Sequence, residues 1–204
     1  MQVRQYSYLV LSDLYRATGK YGWGTLVFQV IAGDTYRYNF WLRTCQFAKH
    51  RKMLRFLLYP VCRLILRHMT YKFGIGIPVQ TVIGSGLFIG HFGGIFINGN
   101  CVIGKNVNIS HGVTLGQASR GKREGFPILG DNIYIGPGAK VIGAVRIGNN
   151  VAIGANCVVT KDIPDNSVVV GVPGRIISAD GATGYVLRTD YEERLGRSAG
   201  SYAS

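Results

Sequence analysis

Two of the four histidines in this chain occupy the same place in a repeat. His91 follows Ile89-Gly90 and His111 follows Ile109-Ser110, twenty residues later. Each therefore stands two positions after an aliphatic corner. Imidazole is the natural proton acceptor near neutral pH, so a pair held side by side is a candidate general base with a companion. A lone histidine more often serves as a surface or hydrogen-bonded structural group. Stacking of the two by the chain would set this pair apart from such lone groups.

The stretch from Ile77 to Pro164 must do that positioning. An aliphatic residue returns every sixth position: Ile77, Ile83, Ile89; then Ile97, Ile103, Ile109, Leu115; then Leu129, Ile135, Val141, Ile147, Ile153, Val159. Gly follows eight of these thirteen. A period of six is neither the 3.6 of a helix nor the 2 of a strand that turns back. It describes a short extended segment and a corner, repeated, as in a parallel β-helix. Ile and Val suit the wall of such a prism, and Gly is expected to supply positive φ at its corners. Four residues after each aliphatic position comes a second small or apolar set, including Leu87, Cys101, Val107, Val113, Ala139, Val145, Val151 and Cys157. If a coil holds eighteen residues, and the frame shift between Ile89 and Ile97 adds two, His91 and His111 stack about 5 Å apart. From Leu115 to Leu129 the spacing is fourteen instead of twelve, and Gln117 to Pro127 breaks the pattern with charge and Gly. That is a protruding loop, with Arg120, Lys122 and Arg123 at its tip.

The ends are different in character. Residues 1–75 carry twelve of the 23 Lys and Arg against Asp13 and Asp34 alone, so most of the net charge of +13 sits there. Such a field draws anionic partners, but no nucleic-acid-binding signature accompanies it and none is expected as a partner. Met1 to Leu11 lacks the order of a signal peptide, which leads to an expectation of a cytoplasmic protein. The window Met53–Met69 is interrupted by Arg55, Arg63, Arg67 and Pro60, too short and too charged to span a bilayer. It reads as an amphipathic helix packed on the first coil. A sharper reading has Lys49, Arg51, Lys52 and Arg55 bring the chain to the inner face of an anionic membrane. Apolar spacing in Tyr6–Thr18 and Val27–His50 completes a helical cap over 1–72, followed by a β-helix over 73–177 and a tail, 178–204, expected to be largely mobile, with Tyr185–Leu187 as a segment that could dock on the last coil. Cys45, Cys62, Cys101 and Cys157 show no metal spacing and read as reduced packing residues.

The segments IGSGLFIGHFGGIFIN (83–98), ISHGVTLG (109–116), IGPGAKVIG (135–143) and IGANCVVTKDIPDNSVVVGVPGRII (153–177) resemble the hexapeptide-repeat, left-handed β-helix acyltransferases. Within them the run from Gly84 to Ile177 is most similar to serine acetyltransferases and related polysaccharide-cluster O-acetyltransferases. SDLYRATG (12–19) is also similar to the opening of the polysaccharide-cluster proteins. The resemblance implies a mainly β fold, a left-handed parallel β-helix with an N-terminal α-helical cap, three hexads to a triangular coil, and a homotrimer with active sites between adjacent β-helices. It implies acetyl-CoA as co-substrate and His91 as general base. His111 and Asp13 become candidates for acceptor binding. Gly116, Pro137 and Ala155 match positions along the pantetheine arm, and Thr160, Lys161 and Arg175 match positions near the phosphates, where the basic pair has the right charge.

Four departures bear on the acceptor. Gly76 and Gly90 stand where serine acetyltransferases carry carboxylates near the base. Gly125 and Phe126 stand where they carry an Arg-His pair that holds the serine carboxylate. The expectation from sequence is therefore an acetyl-CoA-dependent O-acetyltransferase acting on a sugar hydroxyl of a surface-polysaccharide precursor, with His91 either oriented by another group, such as a main-chain carbonyl, or working without the usual lift in basicity. Serine O-acetyltransfer is the alternative, and a non-catalytic β-helix scaffold a further one. A zinc enzyme of the carbonic-anhydrase kind would need three His ligands; the β-helix has two, and no metal is expected.

Overall fold

From Ile75 to Val170 the chain winds through three walls of parallel strands, each wall adding one short strand per coil. The structure is a computed structural model and describes residues 1–195. The first wall contains Ile75–Gly76, Ile95–Ile97, Thr114–Gly116, Lys140–Ile142 and Val158–Val159. The second contains Val82–Ile83, Val102–Ile103, Ile128–Leu129 and Arg146–Ile147. The third contains Phe88–Ile89, Asn108–Ile109, Ile133–Ile135, Val151–Ile153 and Val168–Val170, with Arg175–Ser178 added antiparallel.

Register explains the six-residue beat. Ile83, Ile103, Leu129 and Ile147 pair in one column, Ile97, Leu115, Val141 and Val159 in a second, and Ile89, Ile109, Ile135 and Ile153 in a third. All thirteen aliphatic positions are buried, as are Leu87, Cys101, Val107, Val113, Ala139 and Cys157 of the second set. Both sets fill one interior. The four cysteines are free and buried; burial pushes the Cys45 thiol up to about 12 and Cys101 to about 11, so both stay protonated.

Two expectations change. Thr114 pairs with Lys140 and Val102 with Ile128, offsets of 26 residues, whereas the regular coil from Lys140 to Val158 takes 18. The loop is therefore an eight-residue insertion into a single hexad, not the two-residue excess expected. The corner glycines also have another purpose. Positive φ falls instead three places after the aliphatic residue, on Gly86, Gly112 and Gly138 and on asparagines, of which Asn106, Asn132, Asn150 and Asn166 form a column at 54–58°, a residue type that tolerates the left-handed region. Their amides form rungs, Asn106 donating to Asn132 (2.9 Å) and Asn150 to Asn166 (2.8 Å). Crowding requires glycine after the aliphatic residue at Gly84, Gly104, Gly130, Gly136 and Gly148: a Cβ on Gly104, for one, would lie 2.2 Å from the carbonyl oxygen of Gly130 on the next coil.

Four helices cap the first coil: α1 (Val3–Thr18), α2 (Trp23–Ala32), α3 (Thr35–Lys49) and α4 (Lys52–Phe73). Cys62, Leu66, Met69 and Phe73 of α4, with Tyr38, Leu42 and Cys45 of α3, extend the β-helix core upward. The first coil has no coil above it, so its outward backbone groups need other partners. Side chains of the cap supply them. Asn39 donates to Leu87 O (3.1 Å), Gln46 to Thr81 O (3.0 Å) and Arg43 to Ile83 O (2.9 Å) and Gly84 O (2.6 Å). Gly86 N donates to Ser12 Oγ (3.1 Å), Leu87 N to Asp13 Oδ1 (2.8 Å) and Ile77 N to Tyr38 Oη (3.0 Å).

Asp13, a candidate for holding an acceptor, is thereby corrected. Its carboxylate is 1% exposed and paired through two hydrogen bonds, 2.9 and 3.3 Å, with an equally buried Arg43. It is neither solvated nor presented to a cleft. Burial pushes this carboxyl up, while the Arg43 guanidinium and the Leu87 amide favour its charged form. Arg16, buried beside it, donates to Gly86 O and Asn108 Oδ1, and desolvation lowers its pKa to about 10.

Through residue 195 the tail is packed, not the mobile appendage expected. From Ser178 it runs back along the asparagine column toward α1: Ala182 N donates to Asn150 (3.0 Å), Asn108 donates to Tyr185 O (2.8 Å), and Tyr185 stacks on Tyr134 at 4.5 Å. Tyr191 is fully buried, bonding Ser85 (2.9 Å) and Asn106 (2.7 Å), and Tyr15 donates to Asp190 (3.0 Å). Tyr185 thus docks on a middle coil, not the last. The remainder of the expected tail, 196–204, lies outside the described residues.

Removing one partner of a buried ion pair strands the other charge. Asp13→Ala should lower stability by about 3–5 kcal/mol, read as a reduced midpoint in urea unfolding.

Candidate active site

The register that pairs Ile89 with Ile109, Ile135 and Ile153 fixes what happens two residues later. His91, His111, Pro137 and Ala155 fall on one corner of successive coils. Backbone hydrogen bonds hold that corner: Gly90 N to Ile109 O (3.0 Å), Ser110 N to Ile135 O (3.1 Å) and Gly136 N to Ile153 O (2.7 Å), with Gly138 N to His111 O (2.9 Å) and Asn156 N to Pro137 O (2.8 Å). The imidazoles stand edge to face, 6.1 Å between ring centroids and inclined by 71°. Both are exposed on the single chain. Among the described residues neither ring has a hydrogen-bond partner within the chain, so the main-chain carbonyl expected to orient His91 is not observed.

Aromatic rings surround this corner where the family would place carboxylates. Phe92, 48% exposed, packs against Phe73 at the end of α4, 5.4 Å between centroids. A Cβ on Gly76 would meet the Phe96 ring at 3.1 Å, and one on Gly90 the Phe88 ring at 3.6 Å. Phe96 is itself 58% exposed. These rings offer His91 no carboxylate, and the charges that reach this region are cationic: Arg37 and Lys72 each lie 5.5 Å over the Phe73 ring.

The remaining predicted residues lie across the first wall. Gly116 and Thr160 share its far corner two coils apart, through the pairing of Leu115 with Val141 and of Val141 with Val159. Thr160, Lys161 and Arg175 come together around a cavity of about 180 Å³, with Pro173 and Gly174 closing it. The structure therefore divides the expected carrier residues: Pro137 and Ala155 beneath the histidines, Gly116, Thr160, Lys161 and Arg175 at the opposite edge. Between them Lys140 points outward and donates to Thr114 Oγ1 (3.1 Å) and to Gly112 O. Sequence reading passed over Lys140, although a lysine one place before an inward Val141 had to face out. It also passed over Pro173 and Gly174, both inside the GVPG segment.

The inserted loop folds back on the next coils instead of standing free. Ala118 and Gly125 bridge it into a hairpin, and Ala144 N donates to Arg123 O (2.8 Å). The Arg123 guanidinium donates to both oxygens of Asp162 (2.9 and 2.8 Å). That carboxyl is held below its ordinary range first by the Arg146 amide and then by Arg123. Arg120 and Lys122 stay exposed. Gly125 has φ 131°, and a Cβ there would lie 3.0 Å from that of Ala144; Phe126 packs on the core. Neither position offers a charge to a bound carboxylate. Among the described residues no three His, Cys, Asp or Glu gather as metal ligands.

The family model for the bacterial transferase hexapeptide, six repeats long, matches residues 126–161. A serine acetyltransferase from Staphylococcus aureus is 44% identical over 123 residues, 60% of this chain. The match spans 58% of that relative's length. The crystal structure of serine acetyltransferase from Brucella abortus strain S19 in complex with coenzyme A superposes with a TM-score of 0.71 at 25% identity, over 86% of this chain and 69% of that one. The serine complex of the Neisseria gonorrhoeae serine acetyltransferase gives 0.67 at 27% identity, over 86% and 70%. The fold is that of the left-handed β-helix acyltransferases, and the resemblance read from the hexads holds in sequence and in architecture.

If Lys161 and Arg175 meet carrier phosphates, replacing either by Ala removes a charged hydrogen bond, worth about 1.5–3 kcal/mol. The KM for acetyl-CoA should rise about tenfold or more, with kcat little changed, in a steady-state assay of thiol release.

Proposed function

We propose that the chain is an acetyl-CoA-dependent O-acetyltransferase in which His91 is the general base. The observation that carries this reading is the single corner on which His91 and His111 stand directly above Pro137 and Ala155. An acyl carrier laid along that ridge would bring its thioester to the imidazoles. The likeness to a coenzyme A complex supports the same carrier. His91 accepts the proton of the acceptor hydroxyl as its oxygen attacks the acetyl carbonyl. The C–S bond then breaks, and the imidazolium returns the proton to the departing sulfur, leaving an acetyl ester and free coenzyme A. Neighbouring copies would complete the site: the two groups of carrier residues lie on opposite edges of one wall, as expected of a trimer whose clefts take one edge from each of two subunits.

For the acceptor, the comparisons weigh toward serine, because the similar proteins are serine acetyltransferases. This reverses the order of preference reached from sequence. A sugar hydroxyl stays as a second reading on a specific observation: Gly76 and Gly90 face phenyl rings and carry no carboxylate for His91, and Gly125 and Phe126 offer no charge to clamp a carboxylate. Bare aromatic faces suit the apolar side of a sugar ring better than an α-amino acid.

Removal of the base should reduce kcat by about 10²–10⁴-fold in His91→Ala, with the KM for acetyl-CoA nearly unchanged. Loss of less than about threefold would exclude His91 as base. Free-thiol release with serine, nucleotide sugars and glycan fragments as competing acceptors separates the two readings: turnover of serine alone establishes the first, turnover of sugars alone the second.

A further inference from the structure

The helical cap leaves two apolar surfaces without partners. α4 is apolar on opposite sides. Cys62, Leu66, Met69 and Phe73 point inward, whereas Met53, Leu57, Leu64 and Tyr71, on the reverse face at helical spacing, are 67–76% exposed. α2 buries no residue at all, and Trp23, Val27, Phe28 and Ile31 are 54–82% exposed. A helix as apolar as α2 is ordinarily enclosed, and exposed apolar patches of this extent on α2 and α4 mark contact surfaces. The two helices end together: Arg37 donates to Ile31 O at the end of α2 (2.8 Å) and its guanidinium lies 5.5 Å over the Phe73 ring at the end of α4.

Charge decides what covers them. Lys49, Arg51, Lys52, Arg55, Arg63 and Arg67 are exposed along α4 and its approach. The only carboxylates in the first 75 residues are Asp34 and the buried, paired Asp13. A groove of about 650 Å³ beside α4 is lined by Arg63 and Arg67. No helix among the described residues is long and apolar enough to cross a membrane. We infer that α2 and α4 seat the chain on an anionic lipid bilayer, their apolar side chains at the acyl boundary and their arginines and lysines among the phosphates. A second copy is a poorer occupant, since it would bring the same excess of positive charge to the same face. The inference is independent of the acceptor.

The full chain, sedimented with phosphatidylcholine vesicles and with vesicles containing about a third phosphatidylglycerol, should bind the anionic ones about tenfold or more tighter. Phe28→Glu with Leu57→Glu, checked for unchanged helical circular dichroism, should weaken that binding about tenfold or more. Equal binding by the double variant, or no binding to anionic vesicles, overturns the inference. So does sedimentation velocity in which the lipid-free protein self-associates and the variant does not, because the face then belongs to another copy.

Discussion

A β-helix must hand the backbone hydrogen bonds of each coil to the next, and everything else in this chain follows from that requirement. Strict transfer keeps equivalent positions in vertical columns. Aliphatic residues stack inside, asparagines stack at one corner, and histidines continue into proline and alanine at another. The proposed site is a by-product of register. Two imidazoles meet because the chain cannot shift one coil against its neighbour without exposing a whole inward face.

The same requirement has an end effect. The first coil has bonds to give and nothing above to take them, and the cap answers with side chains instead of another strand. Asp13 and Arg43 belong to that answer. Buried ion pairs are costly to assemble, and this one is kept where it satisfies the backbone at Ile83, Gly84 and Leu87 simultaneously. The cap is thus a molecular lid on an open edge, and its outward faces are free for other uses.

What the sequence made legible was what repeats. The hexads declared the wall, the inward sets and the stacked histidines, since each is set by spacing along the chain. Spacing modulo six could not say whether fourteen residues meant two hexads plus two or one plus eight; only the pairing of Thr114 with Lys140 decides. The glycines were assigned to the wrong constraint because crowding from the coil below leaves no trace in a local pattern, whereas positive φ is a familiar reason for glycine. Asp13 was misplaced because its partner is thirty residues away on another helix. In the tail, docking at Tyr185 is legible but not the coil it reaches, and Tyr191 is not legible at all, because isolated tyrosines bind coils distant in sequence and no periodicity announces such contacts.

That returning tail alters how the prism can come apart. Solenoids are quasi-one-dimensional, each repeat leaning only on its neighbours, so they tend to fray from either terminus. Here Tyr191 reaches Ser85 in the first coil, Tyr185 grips a middle one, and the segment itself leaves from the last. These contacts tie the first, middle and last coils to one another. A linear stack is thus cross-braced along its length, which favours melting as one unit over fraying from an end.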